Sequence, residues 1–184
     1  CLEHLGKRPL EVVREVAELD HAWCLVHGTH LTPEELMAVA RQQAVLGLCP
    51  STEADLGDGI FPLGAHLEGG GLFGVGSDSN IETCAAAELR LLEQGQRLAH
   101  LRRTVATAPD QPHCGQALWC QALMGGAKAA GRPVGRLAPL AGGVLDDQVL
   151  AGGALHGALD HLDEGADTVL LVDDVVAGPQ LEGV

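Results

Sequence analysis

The chain has no tyrosine, two phenylalanines and two tryptophans, so the large rings that usually anchor a core are scarce. That scarcity, together with an opening at Cys1 instead of methionine, points to a piece of a larger protein. Cations are scarce too: Lys+Arg number 11 against 25 Asp+Glu, a formal net charge of -14. Nucleic acid and anionic membranes are therefore not the expected partners, because both need a basic face to meet phosphate or release counterions. No stretch reaches the roughly 18 uninterrupted apolar residues of a membrane helix, and the amino end shows no charged-then-apolar signal pattern. The expectation is a cytoplasmic protein with a small polar substrate. Six cysteines are present without a CxxC pair, mostly inside apolar runs, which predicts buried, reduced thiols and not a disulfide framework.

What is present is enough for one domain: 184 residues, 46% of them hydrophobic, can bury a real core. Pro9 followed by Leu10, Val13, Val16 and Ala17 at three-to-four spacing predicts an amphipathic helix. Ala22–Val26, Val45–Cys49 and Leu72–Gly76 are short continuous apolar runs, the pattern of strands buried on both faces of a parallel sheet. Between the first two, Thr32, Pro33 and Glu35 spell a cap, a first-turn proline and a capping box for a helix through Met37, Val39 and Ala40. The order predicts parallel β/α units with right-handed crossovers. After Thr83 the pattern turns helical: Leu89, Leu91, Leu92, Leu98 and Ala99 form a stripe ending near Arg97, Arg102 and Arg103, and a second helix is expected from Gly115 to Ala130. From Gly131 onward only Thr168–Val172 and Val175–Val176 look extended, as a hairpin about Asp173 and Asp174.

In parallel β/α barrels the working groups follow the carboxyl ends of strands. Three segments here have polar groups at that place: 26–30 with His27 and His30, 50–59 with Glu53, Asp55 and Asp58, and 76–80 with Asp78. Three loops would thus converge on one mouth. His27 and His30 do not read as a metal pair, since positions i and i+3 of an extended chain point apart. His27 reads as a hydrogen-bonding or acid/base group at a reacting water, or as a loop histidine satisfied by backbone. His30 reads as a brace for its loop or for the helix at Thr32. Asp78 is expected to be screened from bulk water, as a metal ligand or as a cap helped by Ser79 and Asn80. The Glu53 segment reads as an acidic loop, either solvated or a loose mimic of a calcium loop.

Taken together, these segments resemble the later strands of the amidohydrolase superfamily, and in particular the formimidoylglutamate deiminases. His27-Gly28-Thr29-His30-Leu31-Thr32 resembles the segment after barrel strand six. The run from Leu48 to Pro62 resembles the strand-seven loop of that deiminase, where related aminohydrolases usually carry Asn at the place of Glu53. Gly76-Ser77-Asp78-Ser79 resembles the strand-eight metal-binding segment, and Glu88–Glu93 with Gln96-Arg97-Leu98 continue the likeness, which covers about residues 1–139. It implies an α/β fold, the carboxyl-terminal part of a metal-dependent (β/α)8 TIM barrel (strands six to eight with helices) in residues 1–132. A tail related to a small β domain would follow in 133–184. It also implies zinc-dependent hydrolytic deamination of N-formimidoyl-L-glutamate in histidine breakdown. In that reaction Asp78 would bind zinc and take a proton from water, His27 would hydrogen-bond the water or the tetrahedral centre, and Glu53 and His30 are substrate-loop candidates. Homodimerisation is common in the family.

The departures are equally specific. The family's His-x-His pair, its strand-five histidine and the glutamate after it have no counterpart and are expected upstream of Cys1. The three site segments contain no arginine to clamp the substrate's carboxylates. The run from Leu140 to Asp146 replaces the Pro-Gly and Ala-Asp that the family's tail would show. The isolated chain is thus expected to be inactive. The alternatives are another aminohydrolase or chlorohydrolase of the superfamily, against which Glu53 and Gly57-Asp58-Gly59 argue, and a non-catalytic decayed or accessory protein.

Overall fold

The computed structural model describes residues 1–81, 83–107 and 111–131, and the backbone of 169–171. In chain order the elements are α1 (Leu2–Leu5), α2 (Pro9–Val16), β1 (Cys24–Val26), α3 (Pro33–Arg41), β2 (Val45–Leu48), α4 (Pro50–Leu56), α5 (Leu63–Glu68), β3 (Leu72–Val75), α6 (Ala85–His100), α7 (Cys114–Ala129) and β4 (Val169–Leu171). The strands form one parallel sheet in the order β3-β2-β1-β4. The three apolar runs read from the sequence are its β1, β2 and β3, each a residue or two shorter than the run. β4 falls inside the expected Thr168–Val172 strand and lies beside β1, with Leu25 opposite Leu170. The hairpin partner at Val175–Val176 lies outside the described residues.

Local chemistry explains the helices. At α3 the Thr32 hydroxyl accepts from the Glu35 amide at 3.2 Å, while the Glu35 carboxylate accepts from the Thr32 amide at 2.8 Å, the expected capping box. Leu36 and Val39 face the core from α3, and Met37 is exposed. Leu10 and Val13 do the same from α2, whereas Val16 is exposed. On α6 the inward residues are Glu88, Leu89, Leu92, Glu93 and Gln96; Leu98 and Ala99, expected on the stripe, are exposed. α7 packs across β3 and β2. Gly125 permits that approach, since a Cβ there would collide with the Phe73 backbone, and a Cβ on Gly74 would come within 3.3 Å of the Gly126 backbone.

The core gathers Leu25, Leu46, Leu48, Phe73 and Val75 of the sheet with Leu36, Val39, Phe61, Leu63, Leu89, Leu118 and Ala122 from the surrounding elements. Cys24 and Cys49 are buried as expected, but Cys1 and Cys84 are exposed, which corrects the expectation for those two. All six cysteines are free. Among the described residues no helix is long and apolar enough to cross a membrane.

Candidate functional site

Because β1, β2 and β3 are parallel, the segments that follow them emerge at one end of the sheet. Hydrogen bonds tie these segments together. His27 Nδ1 lies 3.3 Å from Glu53 Oε1, the Thr52 hydroxyl donates to the Ser77 carbonyl at 2.8 Å, and the Asn80 amide donates to the Asp55 carboxylate at 2.7 Å. The expected convergence of the three segments is present.

His27 is the first residue after β1. Its amide still donates to the Gly47 carbonyl at 2.8 Å, extending the sheet, while its φ of 67° turns the chain into the left-handed region and Gly28 follows at 66°. The reversal carries the histidine inward, and its residue surface is only 9% exposed. His30 is separate from it: exposed, with its backbone carbonyl accepting from the Arg8 guanidinium, which also bonds Glu35 at 2.9 Å. The bracing expected of His30 is thus done by its main chain.

Glu53 corrects the expectation of a loop. It sits on α4, opened by Pro50 and closed by Gly57 at φ 74°, and only 3% of it is exposed. Its Oε1 accepts from the Cys49 amide at 2.8 Å, so the carboxylate folds back over the start of its own helix. α4 is anchored from outside by Glu88 of α6, whose carboxylate accepts from the Ser51 amide at 2.9 Å and from the Ser51 hydroxyl. Neither the helix nor Glu88 was read from the sequence. Pro50 followed seven residues later by Gly57 was the available signal.

Asp78 also departs from expectation. It is exposed, with φ 49° and the Ser79 hydroxyl 3.5 Å from its Oδ1, and it caps no helix, since the N-cap of α6 is Cys84. The strand end turns it outward on a left-handed residue before the chain folds back.

His27, Cys49 and Glu53 each offer one ligand atom, all within 4.8 Å of one another and all buried, so a metal could sit among them by count. The chemistry is less favourable. Burial pushes the Cys49 thiol up, with the Glu53, Asp78 and Glu88 carboxylates adding to it, so the thiolate a metal needs is disfavoured. Glu53 Oε1 is already engaged by the Cys49 amide and the imidazole. A cavity of about 600 Å³ lies elsewhere, among Gly64, Leu67, His100, Val105, Ala117 and Gln121, and holds none of these residues.

Comparison with known proteins places the chain. Residues 2–139 match the model of the amidohydrolase family. The chain is 50% identical over 138 residues to a formimidoylglutamate deiminase of Pseudomonas aeruginosa, covering 75% of this chain and 30% of the relative. A 5-methylthioadenosine/S-adenosylhomocysteine deaminase of Pyrococcus abyssi is 28% identical over 139 residues, 74% of this chain and 31% of the relative. The crystal structure of an amidohydrolase from Brucella melitensis superposes with a TM-score of 0.71 at 36% identity, over 90% of this chain and 38% of that one. A zinc-bound adenosine deaminase structure from Xanthomonas campestris shares the fold at 21% identity and a TM-score of 0.60, over 71% of this chain and 29% of that one. The chain belongs to the amidohydrolase family, and its parallel sheet with covering helices is consistent with part of a TIM barrel. It spans about a third of the length of the relatives it matches.

Proposed function

We propose that this chain carries the strand-six to strand-eight part of a formimidoylglutamate deiminase, with residues 133–184 as a tail related to a small β domain. The observation that carries the reading is the 50% identity to a deiminase of that name. The meeting of the 26–30, 50–59 and 76–80 segments at one end of a parallel sheet supports it, since that is where barrel enzymes place their chemistry. The reaction would be hydrolysis of an amidine: water adds to the formimidoyl carbon of N-formimidoyl-L-glutamate, the C–N bond to the terminal nitrogen breaks, and N-formyl-L-glutamate and ammonia leave. The proposed setting is histidine breakdown in the cytoplasm, by a zinc enzyme that forms a homodimer.

The residues present fit such a metal in part. Asp78 is exposed at the strand end, as an available ligand must be, but a catalytic zinc takes about three protein ligands and an open position, and the group of three that lies close enough to share an ion among the described residues, His27, Cys49 and Glu53, does not include Asp78. Zinc, when bound, supplies Lewis-acid chemistry that brings the pKa of a water down to about 7. The chain's own contributions are a carboxylate and an imidazole. Asp78 accepts the proton that the attacking water gives up. His27 hydrogen-bonds that water and then the tetrahedral centre, stabilising charge as it develops.

The test is zinc content and ammonia release from N-formimidoyl-L-glutamate, for this chain and for the longest chain that its coding sequence specifies. Activity in either supports the deiminase. A folded, zinc-loaded protein that is silent on this substrate and active on 5-methylthioadenosine would move the assignment to a purine-type aminohydrolase. Silence on both would favour a non-catalytic protein.

A further inference from the structure

We propose that Glu53 is the positioning residue of His27: its carboxylate, fixed on α4, accepts a hydrogen bond from the Nδ1–H and holds the neutral imidazole in the tautomer whose basic nitrogen is Nε2. The purpose of this device rests on the deiminase reading, while its geometry stands alone. A carboxylate accepts hydrogen bonds and donates none, so the contact of 3.3 Å between Nδ1 and Oε1 requires the proton on Nδ1. The acceptor is not free to swing away. The same Oε1 takes the Cys49 amide at 2.8 Å, binding the side chain to the backbone that opens its own helix. That helix is pinned in turn by Glu88 at the Ser51 amide and by Thr52 at the Ser77 carbonyl.

His27 is equally constrained, with its backbone in the left-handed region and its amide still paired to β2. Both side chains are buried, and a hydrogen bond between groups removed from water is stronger and more directional than the same bond at a surface. An imidazole whose Nδ1 is held keeps its Nε2 in a fixed orientation and state, which is what a group that must accept a proton or a hydrogen bond from a reacting water needs. The closeness of His27, Cys49 and Glu53 is thus explained by a hydrogen-bonded unit, without a metal among them.

The experiment is nitrogen-15 NMR of the histidine-labelled 184-residue chain, with the His27 ring assigned through His27→Asn. Above the imidazole titration, the unmodified chain should show the pattern of a ring protonated at Nδ1. Glu53→Ala should move it toward protonation at Nε2. Glu53→Gln, whose amide oxygen still accepts, should keep the Nδ1 pattern. A ring protonated at Nε2 in the unmodified chain overturns the proposal, as does an unchanged tautomer in Glu53→Ala. Should Glu53→Ala fail to fold, the unmodified chain decides: an Nδ1 proton supports the assignment and an Nε2 proton sinks it. In a form that releases ammonia, Glu53→Ala should lower kcat about ten- to hundredfold with KM little changed, and Glu53→Gln should restore most of it. The tautomer needs no turnover to be read. Absence of ammonia release therefore counts against the deiminase and not against Glu53, and a wrong tautomer does the reverse.

Discussion

His27 and Asp78 both follow strands and both have left-handed backbones, with φ of 67° and 49°. Histidine and aspartate are among the few residues with a Cβ that adopt this region readily, and the sequence spends them where the sheet ends. Asp78→Asn keeps the shape and the backbone tolerance while removing the charge. It should leave the unfolding transition unchanged and, in an active form, lower ammonia release by about a hundredfold or more, as the loss of a proton acceptor does. Retained turnover at normal zinc content would remove Asp78 from the mechanism. His66 shows a different use of an imidazole. It is fully buried, its Nε2 lies 3.1 Å from the Leu72 carbonyl, its ring meets Phe61 edge-on, and a Cβ on Gly71 would strike it. Burial lowers its pKa, the Leu72 bond opposing only in part, so the folded state prefers the neutral ring. Above the ordinary imidazole pKa of about 6.5 the group is neutral folded or unfolded and adds no pH dependence. Below it the unfolded chain protonates first, and stability falls with pH until the folded pKa is passed. Urea titrations should show that slope, and His66→Phe should flatten it.

At the scale of elements, legibility followed the strength of local signals. The start of α3 was readable to the residue because Thr32, Pro33 and Glu35 form a complete capping box. Thr32→Ala should cost about 1 kcal/mol in urea unfolding, the usual worth of such a cap. α4 and α5 were not readable, because seven and six residues are too short for a period to show, and serine, aspartate and glycine around them mimic a loop. That misreading hid the site's main buried carboxylate: Glu53 and its neighbours Asp55 and Asp58 look alike in sequence, and only the turn of α4 sends Glu53 inward and Asp55 outward, with Asp58 half-buried past the helix end. The exposure of Asp78 was illegible for the opposite reason, since two serines and nearby glycines say nothing about which way a loop faces. Glu88 was hidden because its partner, Ser51, lies 37 residues away. Removing it by Glu88→Ala leaves the Ser51 amide without that acceptor. The expected loss is about 1–3 kcal/mol, the cost of an unsatisfied buried group, and a loss near zero would show that α4 holds itself.

For the whole molecule, apolar runs announced all four described strands but not their company. That β4 lies beside β1 is a contact across more than a hundred residues, and nothing in the pattern of Val169–Leu171 names its neighbour. The same limit applied to the cysteines. Six cysteines, mostly in apolar runs, resolve into two buried thiols, two half-buried and two exposed, because burial depends on where each segment docks. Cys24, in β1, has its pKa pushed up to about 12 by burial, and Cys49, between β2 and α4, is raised by burial and by the carboxylates around it. Reaction with an alkylating agent needs the thiolate and access to it. At about pH 8 the native chain should therefore be modified first at Cys1 and Cys84, with Cys24 and Cys49 reacting only when the chain is unfolded, as peptide mapping by mass spectrometry would report. Native protection at Cys49 also measures the site, since the Cys49 amide holds the Glu53 carboxylate and cannot be disturbed alone. Modification of Cys49 at the rate of Cys1 would mean that the end of β2 and the start of α4 separate in solution, and that the Glu53–His27 contact separates with them.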